Sequence, residues 1–149
     1  MENYSWDVDS VLNKHTLFSF LQPMDKPVPM VATIDIGRVA AELLQQPLAT
    51  HKTVELEGPT RVTPNQAAAT FAQLLNHPVT IEEVPRDSWQ SLFESQGMKN
   101  PTPRIRMLDG FNEGWIKFEG PASSIRKGKV ELISVFQTLI ARQAQTVSK

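Results

Sequence analysis

The chain has 149 residues, 40% of them hydrophobic and 21% charged, which is enough for one domain with a hydrophobic core. Its 15 basic and 16 acidic residues give a net charge of −1, which provides no strong field to attract a nucleic acid or an acidic membrane surface. Cysteine is absent, which excludes disulfides, thiolate metal sites and cysteine nucleophiles. The chain shows neither a secretory signal nor an apolar run of the roughly 20 residues that span a bilayer, so we expect a cytoplasmic protein with no membrane partner.

The first 32 residues are predicted to contain little regular structure. Apolar side chains are frequent between positions 11 and 21 but follow no clean period, so we expect irregular chain with one short helix or strand. Pro23, Pro27 and Pro29 then fix φ at their own positions and restrict the residues before them. Residues 28–32 are therefore predicted to be extended and to lead into a helix.

Residues 30–44 organise the predicted fold. The hydroxyl of Thr33 can cap a helix, and Asp35 would then lie in the first turn, where the helix dipole favours a carboxylate. Five apolar side chains recur at helical spacing and form one stripe: Ile36, Val39, Ala40, Leu43 and Leu44. We expect this stripe to lie on a large apolar surface such as a β-sheet. Pro47 cannot continue the helix, which therefore ends just before it.

Residues 52–58 alternate polar and apolar side chains, which predicts a half-buried strand. Glu55 and Glu57 would share one face of this strand. They can be interpreted as paired carboxylates, but alternation alone accounts for them, so we favour a solvated strand face.

Thr63, Pro64 and Gln66 give the clearest local signal in the sequence. Thr63 can be the N-cap of a helix, Pro64 its first residue, and Gln66 the second member of a capping box. The helix is predicted to run to about Leu75, and Asn76 can take the left-handed conformation that ends it. Residues 79–84 follow as a predicted strand.

The remaining chain alternates between helices and short extended segments. Residues 87–97 have the pattern of a short amphipathic helix. Thr102 is predicted to cap a second helix, which begins at Pro103 and ends near Glu113. Three further segments follow: an extended stretch at 114–120, a basic loop at 126–129, and a helix at about 131–144.

Residues that carry most enzyme chemistry are not grouped in the sequence. His15, His51 and His77 are widely spaced and pair with no metal-ligating residue at helical spacing, so a metal site is disfavoured. The seven glycines form neither a G-x-G-x-x-G turn nor a phosphate-binding loop, and a G-x-S-x-G elbow is also absent. The sequence therefore predicts no complete dinucleotide site and no serine hydrolase.

Basic and aromatic side chains provide two weaker candidates. Five basic residues could contact a nucleic acid: Arg104, Arg106, Arg126, Lys127 and Lys129. The balanced overall charge instead favours a solvated loop and helix face, so we expect no nucleic-acid partner. Aromatic residues more often belong to the core. Trp6 and Trp115 flank irregular segments, however, so a role facing a substrate stays open for them.

Several segments match a known pattern when they are taken together: residues 1–3, 27–44, 54–59 and 63–85, with Trp89, 107–108, 111–112 and 116–119. In this combination the chain resembles the NmrA-like proteins, atypical relatives of the short-chain dehydrogenases that bind NAD(P). The resemblance implies an α/β fold of an incomplete Rossmann type, mostly the C-terminal substrate-side lobe. Residues 1–149 would form this single lobe, in which residues 1–30 follow a late Rossmann strand and residues 31–149 supply several helices and a few short strands.

The resemblance also implies where ligands would bind. Asn3 would lie near the nicotinamide side of the cofactor cleft, and four residues are candidates for substrate contacts: Trp6, Phe111, Asn112 and Trp115. The family's glycine-rich turn has no counterpart here, so NAD(P) binding by this chain alone is expected to be weak or absent. The Tyr-x-x-x-Lys pair of the wider superfamily is also missing, because Tyr4 is followed by Val8 at the lysine position. We therefore assign no catalytic residue.

Three functions remain open. The first is a truncated NmrA-like protein that is not catalytic by itself. The second is a standalone interaction or redox-sensing module, whose apolar face would be buried in a homodimer or by a partner chain. The third is an NAD(P)-dependent quinone or carbonyl reductase whose N-terminal half is encoded upstream of Met1.

Overall fold

A computed structural model of the chain describes residues 1–47 and 51–147, which form a mixed α/β structure. These residues include six α-helices: α1 Val8–Lys14, α2 Thr33–Leu44, α3 Pro64–Leu75, α4 Trp89–Ser95, α5 Thr102–Glu113 and α6 Leu132–Val147. Short 3-10 turns lie at Glu2–Trp6, Arg86–Ser88 and Ala122–Ser124. The α/β class predicted from the sequence is confirmed.

Four short strands form two separate parallel pairs. Strand β1, Thr16–Ser19, pairs with β3, Thr80–Glu83, and the register runs from Thr16 opposite Thr80 to Ser19 opposite Glu83. Strand β2, Leu56–Glu57, pairs with β4, Arg126–Lys127. The two pairs do not join into one sheet within the described residues. The irregular N-terminal segment predicted from the sequence thus contains both a short helix and a short strand.

The core consists of two apolar clusters. The first joins the N-terminal turn, α1, α3 and α6, and at its centre Phe71 and Phe136 stack with ring centroids 3.9 Å apart. The second lies between α4 and α5, where Trp89 and Phe93 are fully buried. The Trp89 indole N–H donates a 2.8 Å hydrogen bond to the carbonyl of Val84, which satisfies its buried polar atom.

The ends of α3 confirm the local signals in the sequence. The Thr63 hydroxyl accepts from the backbone N–H of Gln66, and the Gln66 side chain accepts from the backbone N–H of Thr63. Asn76 ends the helix in the left-handed conformation. A cap built from residues three apart depends on neighbouring residues alone, so the sequence was sufficient to predict it.

The predicted caps of α2 and α5 are wrong. Thr33 is the first residue of α2, and the Glu2 carboxylate caps the helix by accepting from its backbone N–H at 2.9 Å and its hydroxyl at 2.8 Å. The cap of α2 therefore comes from 31 residues earlier in the chain. At α5, Thr102 is likewise the first helical residue, Pro101 occupies the N-cap position, and no side chain caps the helix.

The side of α2 that faces the rest of the chain is polar. Asp35 is 3% exposed, and its Oδ2 atom accepts from the backbone N–H groups of Lys129 and Val130 at 2.8 and 2.9 Å. Near the other end of the helix, Arg126 pairs with Glu42 at 2.7 Å. Charged hydrogen bonds, and not the apolar stripe, therefore attach α2 to the chain that precedes α6.

The apolar stripe of α2 is only partly covered by the described part of the chain. Ile36 is 48% exposed and Leu44 is 84% exposed, while Val39 and Leu43 are only half-buried. The expectation that the stripe lies on a sheet is therefore not met within the described residues. Asp35 explains the difference, because burying its carboxylate against two backbone donors sets the rotation of the helix.

Two segments beyond α2 also depart from the prediction. The strand predicted at 52–58 is reduced to β2, whereas residues 114–120, predicted to be extended, form neither helix nor strand. The basic loop at 126–129 instead contributes β4, in which Lys127 forms an ion pair with Glu57.

The predicted solvated strand face is also wrong. Glu57 is 4% exposed and accepts from Arg61 Nε at 2.9 Å as well as from Lys127. Burial opposes ionisation of Glu57, but the hydrogen bonds from Lys127 and Arg61 outweigh it and hold the pKa of this carboxyl below its usual value.

We predict that Asp35→Ala lowers the free energy of unfolding by about 2–3 kcal/mol, because two backbone donors lose a charged acceptor. Urea unfolding followed by circular dichroism measures the change, and Asp87→Ala, at an exposed aspartate, is the matched control. Equal effects of the two substitutions would show that Asp35 does not anchor α2.

Candidate functional site

An apolar groove runs along the exposed face of α2. Its volume is about 410 Å³, and we call it the α2 groove; its lining consists of Val31, Ile36, Val39, Ala40, Leu43, Val54, Glu55, Leu56 and Phe118. The charged member of this lining, Glu55, accepts from the backbone N–H groups of Glu119 at 2.6 Å and Gly120 at 3.0 Å. Its carboxylate is thus already bonded, and the groove presents mainly aliphatic surface.

A polar cleft of about 460 Å³ adjoins the α2 groove at Glu55. Its charged lining residues are two cations and two anions: Lys52, Arg126, Glu55 and Glu119. Because these charges balance and Arg126 already pairs with Glu42, the cleft shows no preference for an anion or a cation.

A second candidate site surrounds Arg104 in the first turns of α5. The guanidinium carbon of Arg104 lies 4.4 Å from the ring centroid of Phe93, 5.8 Å from that of Phe20 and 5.9 Å from that of Trp6. We call these residues, together with Asp7, the Arg104 cluster. Phe93 is fully buried, whereas Trp6 is 76% exposed, so the cluster opens to solvent beside Trp6.

Asp7 supplies an unusual carboxyl group to this cluster. Burial raises its pKa to about 7, and the positive charge of Arg104 offsets only part of that effect. Tyr4, in the same N-terminal turn, has a raised pKa because it is buried and because Asp7 is near. Asp7 therefore changes protonation state near neutral pH.

Of the residues predicted from the sequence, Asn3 and Trp6 lie in the N-terminal turn. Both side chains are exposed. Trp6 is in contact range of Arg104. The predicted assignment of Asn3 to a cofactor stays a prediction.

Phe111, Asn112 and Trp115 lie together at the C-terminal end of α5. The Asn112 amide accepts from the backbone N–H of Gln22 and donates to the carbonyl of Phe20, both at 2.9 Å, so it positions the chain after β1. Lys26 caps α5 by donating to the carbonyls of Phe111 and Asn112. Trp115 is 53% exposed, and its indole N–H donates to Glu113.

The structure therefore does not gather the predicted substrate residues at one point. Arg104, beside Trp6, precedes Phe111 by seven positions, which is about 10 Å along a helix. Asn112 has both ends of its amide bonded to the backbone, which describes a structural residue. Trp6 and Trp115 remain the exposed aromatic candidates of the prediction.

His15 and His77 are far apart in sequence but stack in the structure, with ring centroids 3.9 Å apart and planes 24° from parallel. Nearly parallel rings cannot direct their lone pairs at one ion, because a metal lies in the plane of each imidazole that binds it. In the described part of the chain, no three side chains of metal-ligating type converge.

Asp7 and Arg104 are the site residues that sequence reasoning missed. The sequence predicts that Arg104 and Arg106 are both solvated. Arg106 is exposed, but Arg104 is half-buried over Phe93. Asp7 is separated from Arg104 by 97 positions, and no local pattern links them. Only the adjacency of Trp6 and Asp7 in the sequence hinted at this site.

Comparisons with known proteins leave the family open. No protein-family model matches the chain, and no curated protein is significantly similar to it. Among the helices of the described residues, none combines the length and the apolar character that a membrane crossing requires.

We predict that Asp7→Asn stabilises the protein at about pH 8.5 and has little effect at about pH 4. The pKa of Asp7 is higher in the folded than in the unfolded state. Asp7 therefore contributes to stability below its unfolded-state pKa of 3.8, and this contribution is lost as the pH rises through about 7. The gain at high pH should be about 1–3 kcal/mol, measured by urea unfolding at both pH values. The prediction fails if the free energies of unfolding of the natural protein and Asp7→Asn differ by the same amount at both pH values.

Proposed function

We propose that this chain is the substrate-side lobe of an NmrA-like protein, with an incomplete Rossmann-type fold, and that its α2 groove seats against a dinucleotide-binding sheet outside these residues. The observation that carries the proposal is the uncovered stripe of α2. Such a lobe would not be catalytic alone. It would contribute a surface for the substrate and a wall for the NAD(P) cleft.

The polar anchoring of α2 supports this role. Three carboxylates join α2 to other parts of the chain. Glu2, in the N-terminal turn, accepts from Thr33 at the start of the helix, while Asp35 and Glu42 on the helix bond to residues 126–130. Turning the stripe inward would break these bonds, so the helix cannot cover its own apolar face by rotating. Apolar surface contributes about 25 cal/mol per Å² when another surface covers it, which favours association through the α2 groove.

The resemblance to NmrA-like proteins supports the choice of an NAD(P)-binding partner surface. The Asp35-containing segment and the capped α3 helix belong to the segments that carry it. In an assembled protein, Asn3 would approach the nicotinamide, and Trp6, Phe111 and Trp115 would belong to the substrate side, while Asn112 holds the chain after β1. With its nucleotide-binding part present, such a protein would be an NAD(P)-dependent quinone or carbonyl reductase.

A standalone interaction or redox-sensing module is the second candidate. The same exposed stripe favours it, because a second copy or a different chain can cover an amphipathic helix equally well. A discrete homodimer closed through the α2 groove would favour this candidate over the lobe.

We predict that the isolated chain binds NADP⁺ with a dissociation constant weaker than about 1 mM, because backbone donors of a glycine-rich turn supply most pyrophosphate contacts. Isothermal titration calorimetry measures the affinity. A parallel titration with NAD⁺ shows whether the 2′-phosphate contributes. Micromolar affinity for either dinucleotide would overturn the proposal.

We also predict that Ile36→Asp reduces self-association and binding of an apolar fluorescent dye, whereas Ile34→Asp does not. The two isoleucines are 48% and 53% exposed on the same helix, but a separation of two residues places them on opposite sides. Light scattering at increasing protein concentration measures the association. Equal effects of the two substitutions would exclude the α2 groove as the contact surface.

A further inference from the structure

Within the described residues, the guanidinium of Arg104 has no polar partner. It lies over Phe93, near Phe20 and Trp6, and within the described residues no hydrogen-bond acceptor bonds to it and no carboxylate oxygen is within 4.0 Å. Contact with aromatic faces stabilises a cation by about 0.5–1 kcal/mol at exposed sites. It does not satisfy the five N–H donors of an arginine.

Asp7 does not fill this deficit. Its carboxyl group influences Arg104 electrostatically without forming an ion pair. Because burial favours the protonated form of Asp7, the cluster carries a net positive charge below neutral pH. A half-buried cation in this setting favours an anionic ligand.

Trp6 adds a flat apolar surface beside this cation. Its side chain is 76% exposed, and its ring centroid is 5.9 Å from the guanidinium carbon of Arg104. A ligand with a carboxylate on an aromatic ring can bond to a guanidinium through two parallel hydrogen bonds while its ring stacks on a neighbouring aromatic face.

We infer that Trp6 and Arg104 form a binding site for planar aromatic carboxylates, with the carboxylate on Arg104 and the ring on Trp6. The inference deepens the proposed function. Only the statement that this ligand is a substrate rests on the proposed function. Binding itself needs neither a dinucleotide nor a partner at the α2 groove. A failed NADP⁺ titration and a failed aromatic-acid titration therefore test different statements.

The chemistry of the cluster disfavours other anions. An inorganic phosphate would leave the exposed face of Trp6 unused, and a nucleic acid would need a track of cations that one arginine in a chain of net charge −1 does not provide. An aliphatic carboxylate could bond to Arg104 but would gain no stacking energy from Trp6.

The test is a titration of the isotopically labelled full chain with 2-naphthoate at about pH 6, followed by NMR of the three tryptophan indole N–H signals. At this pH the probe is ionised. Asp7, which lies near Tyr4 of its own turn and near Arg104 of α5, is largely protonated. We expect a saturable shift of the Trp6 signal and no comparable shift of the fully buried Trp89. Cyclohexanecarboxylate and 2-naphthamide, which lack the aromatic ring and the charge respectively, should each bind at least about tenfold more weakly.

Two substitutions and one control identify the residues. Trp6→Ala removes an exposed side chain and should weaken 2-naphthoate binding at least about tenfold, as should Arg104→Gln. Arg106→Gln removes an exposed arginine of the same helix and should leave the affinity unchanged. If Arg104→Gln unfolds the chain, Trp6→Ala and the two probe analogues decide the outcome.

The inference is overturned by any of three results. These are no saturable shift at millimolar 2-naphthoate, equal binding of cyclohexanecarboxylate, or unchanged affinity in Trp6→Ala.

Discussion

The buried carboxylate of Asp35 is the contact on which the arrangement of this protein depends. It accepts two backbone hydrogen bonds from Lys129 and Val130, directly before α6. Gly128 belongs to the same contact, because a Cβ atom at that position would lie 2.5 Å from Asp35 Oδ2. A carboxylate that must stay bonded while it is buried fixes the rotation of α2, and the apolar stripe then faces outward. The groove beside α2 is a consequence of that polar anchor.

Sequence reasoning succeeded where the decisive partners are neighbours in the chain. The capping box of α3, its end at Asn76 and the helix predicted at about 131–144 all depend on residues within one or two helical turns, and the structure confirms them. It failed where the partner is distant. The cap of α2 is 31 residues away, the acceptor for Lys127 is 70 residues away, and the donors to Asp35 are 94 and 95 residues away. The sequence singles out Trp6 by residue type, but Asp7 and Arg104 come near each other only in the folded chain.

The two proposals for this protein rest on two surfaces with different chemistry. The α2 groove is apolar and suits another folded surface, whereas the Arg104 cluster combines a cation with an exposed indole and suits a small planar anion. The proposed lobe of an NmrA-like protein accommodates both, because such a lobe meets a nucleotide-binding sheet and also covers a substrate. The α2 groove and the Arg104 cluster have no residue in common.

Cysteine alkylation tests most directly the claim that α2 is held by polar contacts with its stripe uncovered, since the natural chain has no cysteine to react. Single cysteines would be placed by Ile36→Cys and Ala40→Cys on the stripe, by Ile34→Cys on the opposite side, and by Ala32→Cys at a fully buried position. In dilute protein, the account predicts that the two stripe positions react within about tenfold of position 34 while position 32 is protected. Stripe cysteines as protected as the one at position 32 would contradict it.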